Sequence, residues 1–416
     1  MIQNPSVYII GAGAGGLAAA RFLEANGYSA TVLEAEKKIG GRLQTDVIEG
    51  YALDHGFQVL LTAYPAVNKY VDLPSLNLVC FQPGAVIFSG GRQSVLGDPL
   101  RQPSMLLKTL LSPAASVKDK FLVYRLTRQL KAKTLDAIFA APEISTLEYL
   151  RAYGFSPVII EKFFMPFFTG IYLEDKLSTS SRMFEFIYKM FSLGKAALPA
   201  NGMHEVAQAL AGPLKKTEIR TNTRVVKIER DNKRIHLENG EIINADYIIL
   251  ATNSDKLLSG YHSEAISWKK CTTLYFKAAQ PVSNRQLIGL IPDPDAIINT
   301  LSYALRVDTR EDNEVMLSVT VVKEHALADE ELTEKVRQEL MEHCGFNNTR
   351  LVKLYHIPKA LPDLKNVSYR PKNVTASDGI FLAGDTLANG SLNAALLSGE
   401  DAAKALIKYH SSIAVQ

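Results

Sequence analysis

Residues 7–16 read Val-Tyr-Ile-Ile-Gly-Ala-Gly-Ala-Gly-Gly, and residues 30–34 read Ala-Thr-Val-Leu-Glu. The first is an apolar run that stops at glycines; the second is an apolar run that stops at an acid. Between them, 17–26 is alanine-rich with helical spacing, and Gly27 stands where a helix would end. Strand, glycine turn, helix and second strand make one βαβ unit. Gly11, Gly13 and Gly16 have the spacing that brings bare backbone N–H groups and a helix N-terminus to a dinucleotide pyrophosphate. Glu34 lies 18 residues beyond Gly16. A carboxylate there accepts hydrogen bonds from ribose hydroxyls and repels a 2′-phosphate, which disfavours NADP. The motif leaves NAD and FAD both open.

Outward from this unit, 416 residues exceed one ordinary core and imply two domains with a cleft. Hydrophobic residues at 47% and charged residues at 21% describe a globular chain. The net charge of +3 gives no field that would draw a nucleic acid, so none is expected as a partner. Cys80, Cys271 and Cys344 are widely spaced without a CxxC pair, so neither a metal site nor a disulfide framework is expected, and a reducing cytoplasm fits. No charge precedes Arg21, but Pro5 and four glycines interrupt residues 1–20, which read as buried strand and turn rather than a leader.

The fold class expected is α/β: a Rossmann-like domain with a parallel sheet, interrupted by a substrate domain of mixed sheet and helices. Residues 1–80, 199–258 and 372–416 are assigned to the first, 81–198 and 259–371 to the second. From 99 to 198 the pattern is mainly helical, with prolines at 99, 103, 113, 142, 157 and 166 breaking it into short helices. Strand-like runs return around Asn239-Gly240 and again over 271–322, a polar helix is expected over 329–343, and a strand at 379–383 leads into a terminal helix.

Further motifs separate FAD from NAD. Leu-Glu-Ala-Glu-Lys-Lys-Ile-Gly-Gly-Arg at 33–42 adds a second glycine pair and a guanidinium able to grip a phosphate. With Leu-Asp-His-Gly-Phe-Gln at 53–58, Ile-Leu-Ala-Thr-Asn at 249–253 and the long stretch 381–406, it resembles the flavin amine oxidase, protoporphyrinogen oxidase and phytoene desaturase superfamily over most of the chain. The resemblance implies FAD as cofactor. It places Gly11, Gly13, Ala14, Gly15 and Gly16 at the pyrophosphate, Glu34 and Ala35 at the ribose, and Gly41 and Arg42 at a phosphate. It puts Gly384 and Asp385 beside the pyrophosphate and ribityl chain, and Ser391, Leu392 and Asn393 at a helix N-terminus facing the flavin pyrimidine. Val225 is implied at the adenine side, and Gly56 and Phe57 near the ring.

In such proteins the cofactor carries the difficult step, and no metal-ligand or nucleophile constellation stands out in the sequence. Amine oxidases of the superfamily place a lysine near flavin N5, and Lys270 on the strand-like 270–276 run resembles it. Where they commonly carry a tyrosine after the Gly-Asp motif, this chain has Ser391, so the resemblance leans to the desaturase-like branch: hydride removal from a largely apolar, isoprenoid or porphyrinogen-like substrate. Flavin amine oxidation by oxygen and a non-catalytic FAD-binding role remain open alternatives. Eight of the 17 phenylalanines fall in 155–191, readable as core, as a substrate tunnel or as a surface for peripheral membrane contact. The sequence names neither the electron acceptor nor the oligomeric state.

Overall fold

In the computed structural model, which describes residues 5–98, 101–252, 257–258, 266–279, 286–309 and 314–414, segments far apart in sequence form one parallel sheet. Its order is Glu218–Arg220, Ala30–Leu33, Val7–Ile10, Tyr247–Leu250, Ile380–Leu382, with Thr375–Ser377 added antiparallel at the edge. The central strands are buried on both faces, as a parallel sheet requires, and so read as continuous apolar runs. Val7–Ile10 pairs in register with both neighbours, so its C-terminal end opens between two strand ends. The Ala14–Ala25 helix starts there and packs against the terminal Leu392–Ala414 helix. That packing needs small residues: a Cβ on Gly399 would lie 2.0 Å from the carbonyl oxygen of Gly15.

A second sheet has the order Arg350–Pro362, Trp268–Ala278, Val315–Val321, Ile298–Tyr303, Ile288–Leu290, Gly84–Ser89, Arg92–Gly97. The hairpin at 84–97 supplies its far edge. Its two faces differ sharply. Leu274, Phe276, Leu301, Leu317 and Val319 pack with Leu332, Val336 and Leu340 of the Asp329–Cys344 helix. The opposite face carries Thr273, Tyr275, Thr300, Ser302, Ser318 and Thr320, with Thr300 paired to Thr320 and Thr320 to Thr273 across strands.

The block after residue 100 is helical, but its prolines act in different ways. Pro157 stands in the first turn of its helix. Pro166 does not break the chain: a π-helical turn over Ile160–Phe164 runs directly into Met165–Tyr172, and the wider turn accommodates the missing N–H. Phe155, Phe164, Phe168 and Phe184 are buried and pack ring against ring, and the buried Phe186 packs on Tyr64 and Phe139. Phe163, Phe167 and Phe191 are half-buried, so none of the eight rings is a surface group.

Candidate active site

The turn at 11–16 is shaped by what cannot be there. Gly11 has φ +102°, and a Cβ on Gly16 would stand 2.0 Å from the Gly11 carbonyl oxygen, so the helix start closes tightly on the strand end. Gly13 differs, with nothing within 4 Å of where its Cβ would be. Its missing side chain leaves a cradle for a ligand. Glu34 organises the turn, accepting the Ala12 N–H at 2.7 Å and the Glu36 N–H at 2.9 Å. A carboxylate has about four acceptor positions, so capacity remains for ribose hydroxyls. Gly40 leans on the same turn, its N–H donating to the Ala12 carbonyl at 2.8 Å.

From here a cavity of about 1870 Å³ runs between the two sheets. Ligand pockets typically hold roughly 300–1,000 Å³, so this one has room for a dinucleotide and a further molecule. Gly11, Gly13, Ala14, Gly15, Glu34, Ala35, Gly41, Arg42, Gly56, Phe57, Val225, Gly384, Asp385, Ser391 and Leu392 all line it. Arg42 donates to Asp385 at 2.5 Å and its guanidinium lies over the Trp268 ring, 5.5 Å from the centroid. The Asp385 side chain is buried and the Arg42 side chain half-exposed. Cation and anion therefore sit paired on the cavity wall, where an incoming phosphate can compete for the guanidinium.

Three expected site residues lie elsewhere. Gly16 serves the packing just described. Asn393 is fully buried outside the cavity lining, and its Oδ1 accepts the Ala66 N–H at 3.0 Å at the start of the Pro65–Tyr70 helix. Lys270 is the third: its side chain is 64% exposed and pairs with Glu324 at 3.1 Å. Its neighbour Lys269 lines the cavity instead, donating to the Thr179 hydroxyl at 3.0 Å. Successive strand residues point to opposite faces, so of the two lysines Lys269 is turned to the cavity and Lys270 to solvent. Asn253, the last residue of the 249–253 stretch, lies outside the described residues.

Residues 53–58 are carried into the cavity by clamps on both sides. The Tyr275 hydroxyl donates to the Asp54 carbonyl oxygen at 2.8 Å, and Asp54 Oδ1 accepts from the Thr45 hydroxyl and the Met203 N–H at 2.5 and 2.8 Å. Burial pushes the Asp54 carboxyl up to about 6, against these bonds. The next residue, His55, lines the cavity and is bonded to Asp46 at 2.8 Å. Burial raises the Asp46 carboxyl, but bonds from His55 and Tyr355 outweigh it and bring the carboxyl below its usual range.

Beyond the ring of residues 55–58, the inserted helices and the second sheet line the cavity with Phe167, Ile171, Tyr172, Ile187, Phe191 and Ile288. Thr300 and Thr320 lie among them. Their hydroxyl oxygens are buried without a hydrogen-bond partner, as is that of Thr273. The alternation of Thr273 and Tyr275 with Leu274 and Phe276 was the sequence signal for this hydroxyl-bearing face. Ser391 supplies no aromatic wall; its hydroxyl donates to Asn389 at 2.6 Å and accepts the Ala394 N–H at 3.0 Å at the head of the terminal helix. Among the described residues, no group of three or more His, Cys, Asp or Glu is placed to hold a metal ion.

A family model described as flavin containing amine oxidoreductase matches residues 14–407. The chain belongs to this family of FAD-dependent oxidoreductases. The Gly13 cradle, the acceptor capacity of Glu34 and the Arg42–Asp385 pair fit its cofactor, FAD. An L-amino-acid oxidase from Protobothrops flavoviridis is 25% identical over 281 residues, covering 61% of this chain and 53% of the relative. Protoporphyrinogen oxidase 2 from Arabidopsis thaliana is 26% identical over 183 residues, covering 44% and 35%. These matches therefore span about half of those relatives' lengths or less. The crystal structure of a putative protoporphyrinogen oxidase from Exiguobacterium sp. 255-15 shares the fold, with TM-score 0.72 and 20% identity over 98% of this chain and 99% of that one. Among the described residues, no helix is long and apolar enough to cross a membrane.

Proposed function

We propose that this chain is an FAD-dependent dehydrogenase that removes hydride from a largely apolar substrate of isoprenoid or porphyrinogen-like character. The observation that carries the proposal is the set of apolar and aromatic side chains that the inserted helices and the second sheet bring to the cavity wall, Phe167, Ile171, Tyr172, Ile187, Phe191 and Ile288. An apolar body buried there leaves water without loss of hydrogen bonds. Gly11, Gly13, Ala14 and Gly15 would hold the pyrophosphate; Glu34 and Ala35 the ribose; Val225 the adenine side. Gly41, Arg42, Gly384 and Asp385 would hold the second phosphate and ribityl chain, with Gly56, Phe57, Ser391 and Leu392 at the ring. When bound, FAD supplies a hydride acceptor. The chain's own part is to orient the substrate C–H bond, exclude water through Phe57 and the inserted helices, and offer His55, bonded to Asp46, as a group able to take a proton.

Oxidation of an amine is the second reading, favoured by Lys269 at the cavity wall. Against it stands Ser391, which offers no aromatic face to an ammonium group. Anaerobic mixing with porphyrinogens, isoprenoids and simple amines separates the two. Bleaching of the flavin absorbance by an apolar substrate is expected; rapid bleaching by simple amines alone would overturn the proposal.

A further inference from the structure

The hairpin of Thr45–Ile48 and Tyr51–Asp54 runs straight into His55, and the His55 N–H donates to the Gln44 carbonyl oxygen at 2.9 Å, so the pairing continues past the strand end. The imidazole is thus carried to the cavity wall on a fixed stem. Asp46 lies on the other strand of that stem. Its Oδ2 stands 2.8 Å from His55 Nε2 and accepts the Tyr355 hydroxyl at 2.9 Å, while Oδ1 meets Lys38 Nζ at 3.4 Å. Tyr355 comes from the Arg350–Pro362 strand of the second sheet, and its ring lies against the imidazole with centroids 4.4 Å apart and planes 30° apart. One edge of the imidazole is therefore held by the carboxylate and one face by the tyrosine.

These contacts decide which ring nitrogen is basic. Burial raises the Asp46 carboxyl, but the bonds from His55 and Tyr355 outweigh it and keep it below its usual range, so it is ionised at neutral pH. An ionised carboxylate only accepts hydrogen bonds. In a neutral imidazole Nε2 must then carry the hydrogen and Nδ1 the lone pair. Nδ1 has no hydrogen-bond partner among the described residues, and the side chain is 36% exposed. A bond between groups this exposed adds little to stability. Its larger consequence is to fix the tautomer and tilt of the ring.

We propose that Asp46 and Tyr355 are positioning residues that hold His55 with Nδ1 bare, and that Nδ1 takes the proton the substrate loses; the second clause rests on the function proposed above. A substrate that is dehydrogenated gives up a hydride to the cofactor and a proton from the adjoining atom. The electron pair of the second bond becomes the new double bond, and the proton passes to Nδ1. Asp46 offsets the charge of the imidazolium until the proton is returned to water. Neither Asp46 nor Tyr355 lines the cavity, so both act through the ring.

The test begins with NMR of the full-length, flavin-loaded protein carrying nitrogen-labelled histidine. The chain has eight histidines, and His55→Gln assigns the His55 signals by difference. In mildly alkaline buffer the spectrum should show hydrogen on Nε2 and none on Nδ1; the opposite tautomer would overturn the proposal. Rates are then read as anaerobic flavin bleaching by a porphyrinogen or an isoprenoid. Asp46→Asn can turn its amide toward Nε2 and leave the hydrogen on Nδ1, so it should lower kcat by roughly a hundredfold or more with KM nearly unchanged. Tyr355→Phe keeps the stacked ring, loses the bond to Asp46, and should lower kcat by about tenfold. His55→Ala should lose roughly a hundredfold or more, and added imidazole should restore part of the rate. Asp46→Asn protein that bleaches at the wild-type rate would overturn the positioning, and a His55→Ala loss that imidazole leaves untouched would overturn the proton transfer. A flavin that no porphyrinogen or isoprenoid bleaches would overturn the function proposed above and with it the source of the proton, while the spectrum still decides whether Asp46 and Tyr355 set the tautomer.

Discussion

Asp54 lies immediately before His55 and is set by its surroundings. Burial raises its carboxyl from 3.8 to about 6, so the folded chain holds this proton more firmly than the unfolded one. Its contribution is fully present below about pH 4 and is lost as pH rises through about 6, an amount of about 3 kcal/mol at roughly 1.4 kcal/mol per unit. Asp54→Asn keeps an acceptor for Thr45 and Met203 and removes the titration. The variant should therefore gain melting temperature relative to wild type between pH 4 and 8 by thermal denaturation; a difference that does not change with pH would show that Asp54 is ionised throughout. Residue-level detail also separates two adjacent lysines. With Lys269 at the ring, Lys269→Met is expected to slow oxygen-dependent reoxidation of dithionite-reduced flavin by roughly a hundredfold or more, the size of one positioned proton-transfer group. Lys270→Met should leave the rate unchanged, because its side chain points to solvent.

Between elements, Glu400 joins the terminal helix to the Pro65–Tyr70 helix. Its buried carboxylate accepts from Lys69 and from the Tyr70 hydroxyl at 2.7 Å each, and from Lys404 one turn on. Burial pushes the carboxyl up, yet the bonds from Lys404, Lys69 and Tyr70 outweigh it and hold it at about 2. The stabilisation is present above about pH 4.5 and is lost only as pH falls through about 2. Both lysines are about half-exposed, so most of the effect lies in the short bonds rather than in net Coulomb attraction. Glu400→Ala should lower stability by about 1–3 kcal/mol in urea denaturation at neutral pH, since it leaves the Tyr70 hydroxyl without its acceptor. No loss would mean that the helices are held by their apolar contacts alone.

At the scale of the molecule, the site is assembled from segments scattered along the chain, so FAD should tie together parts that are otherwise joined only by packing. Removing FAD is expected to lower the melting temperature, and adding it back should raise stability by about 2.7 kcal/mol at a hundredfold excess over Kd. A melting temperature indifferent to added FAD would refute binding at this cavity. The nucleotide end of the site was legible because local chemistry dictates it: bare backbone at Gly11 and Gly13, an acid at Glu34 and a tight turn at Gly40-Gly41 are read from short stretches whatever the rest of the chain does. The same holds for the βαβ unit, whose continuous apolar strands can only be buried. The substrate end was not legible, because facing is decided across strands and between layers. Lys269 rather than Lys270 enters the cavity through strand alternation in a particular register, Asn393 is turned away to serve the Pro65–Tyr70 helix, and all of the eight clustered phenylalanines except Phe186 pack on one another. By itself the sequence determined a dinucleotide site and the sheet that carries it, and its resemblance to the flavin superfamily named FAD. Which side chains meet the second molecule was decided only by the tertiary structure, since burial and register are properties of the assembled sheets rather than of any single segment.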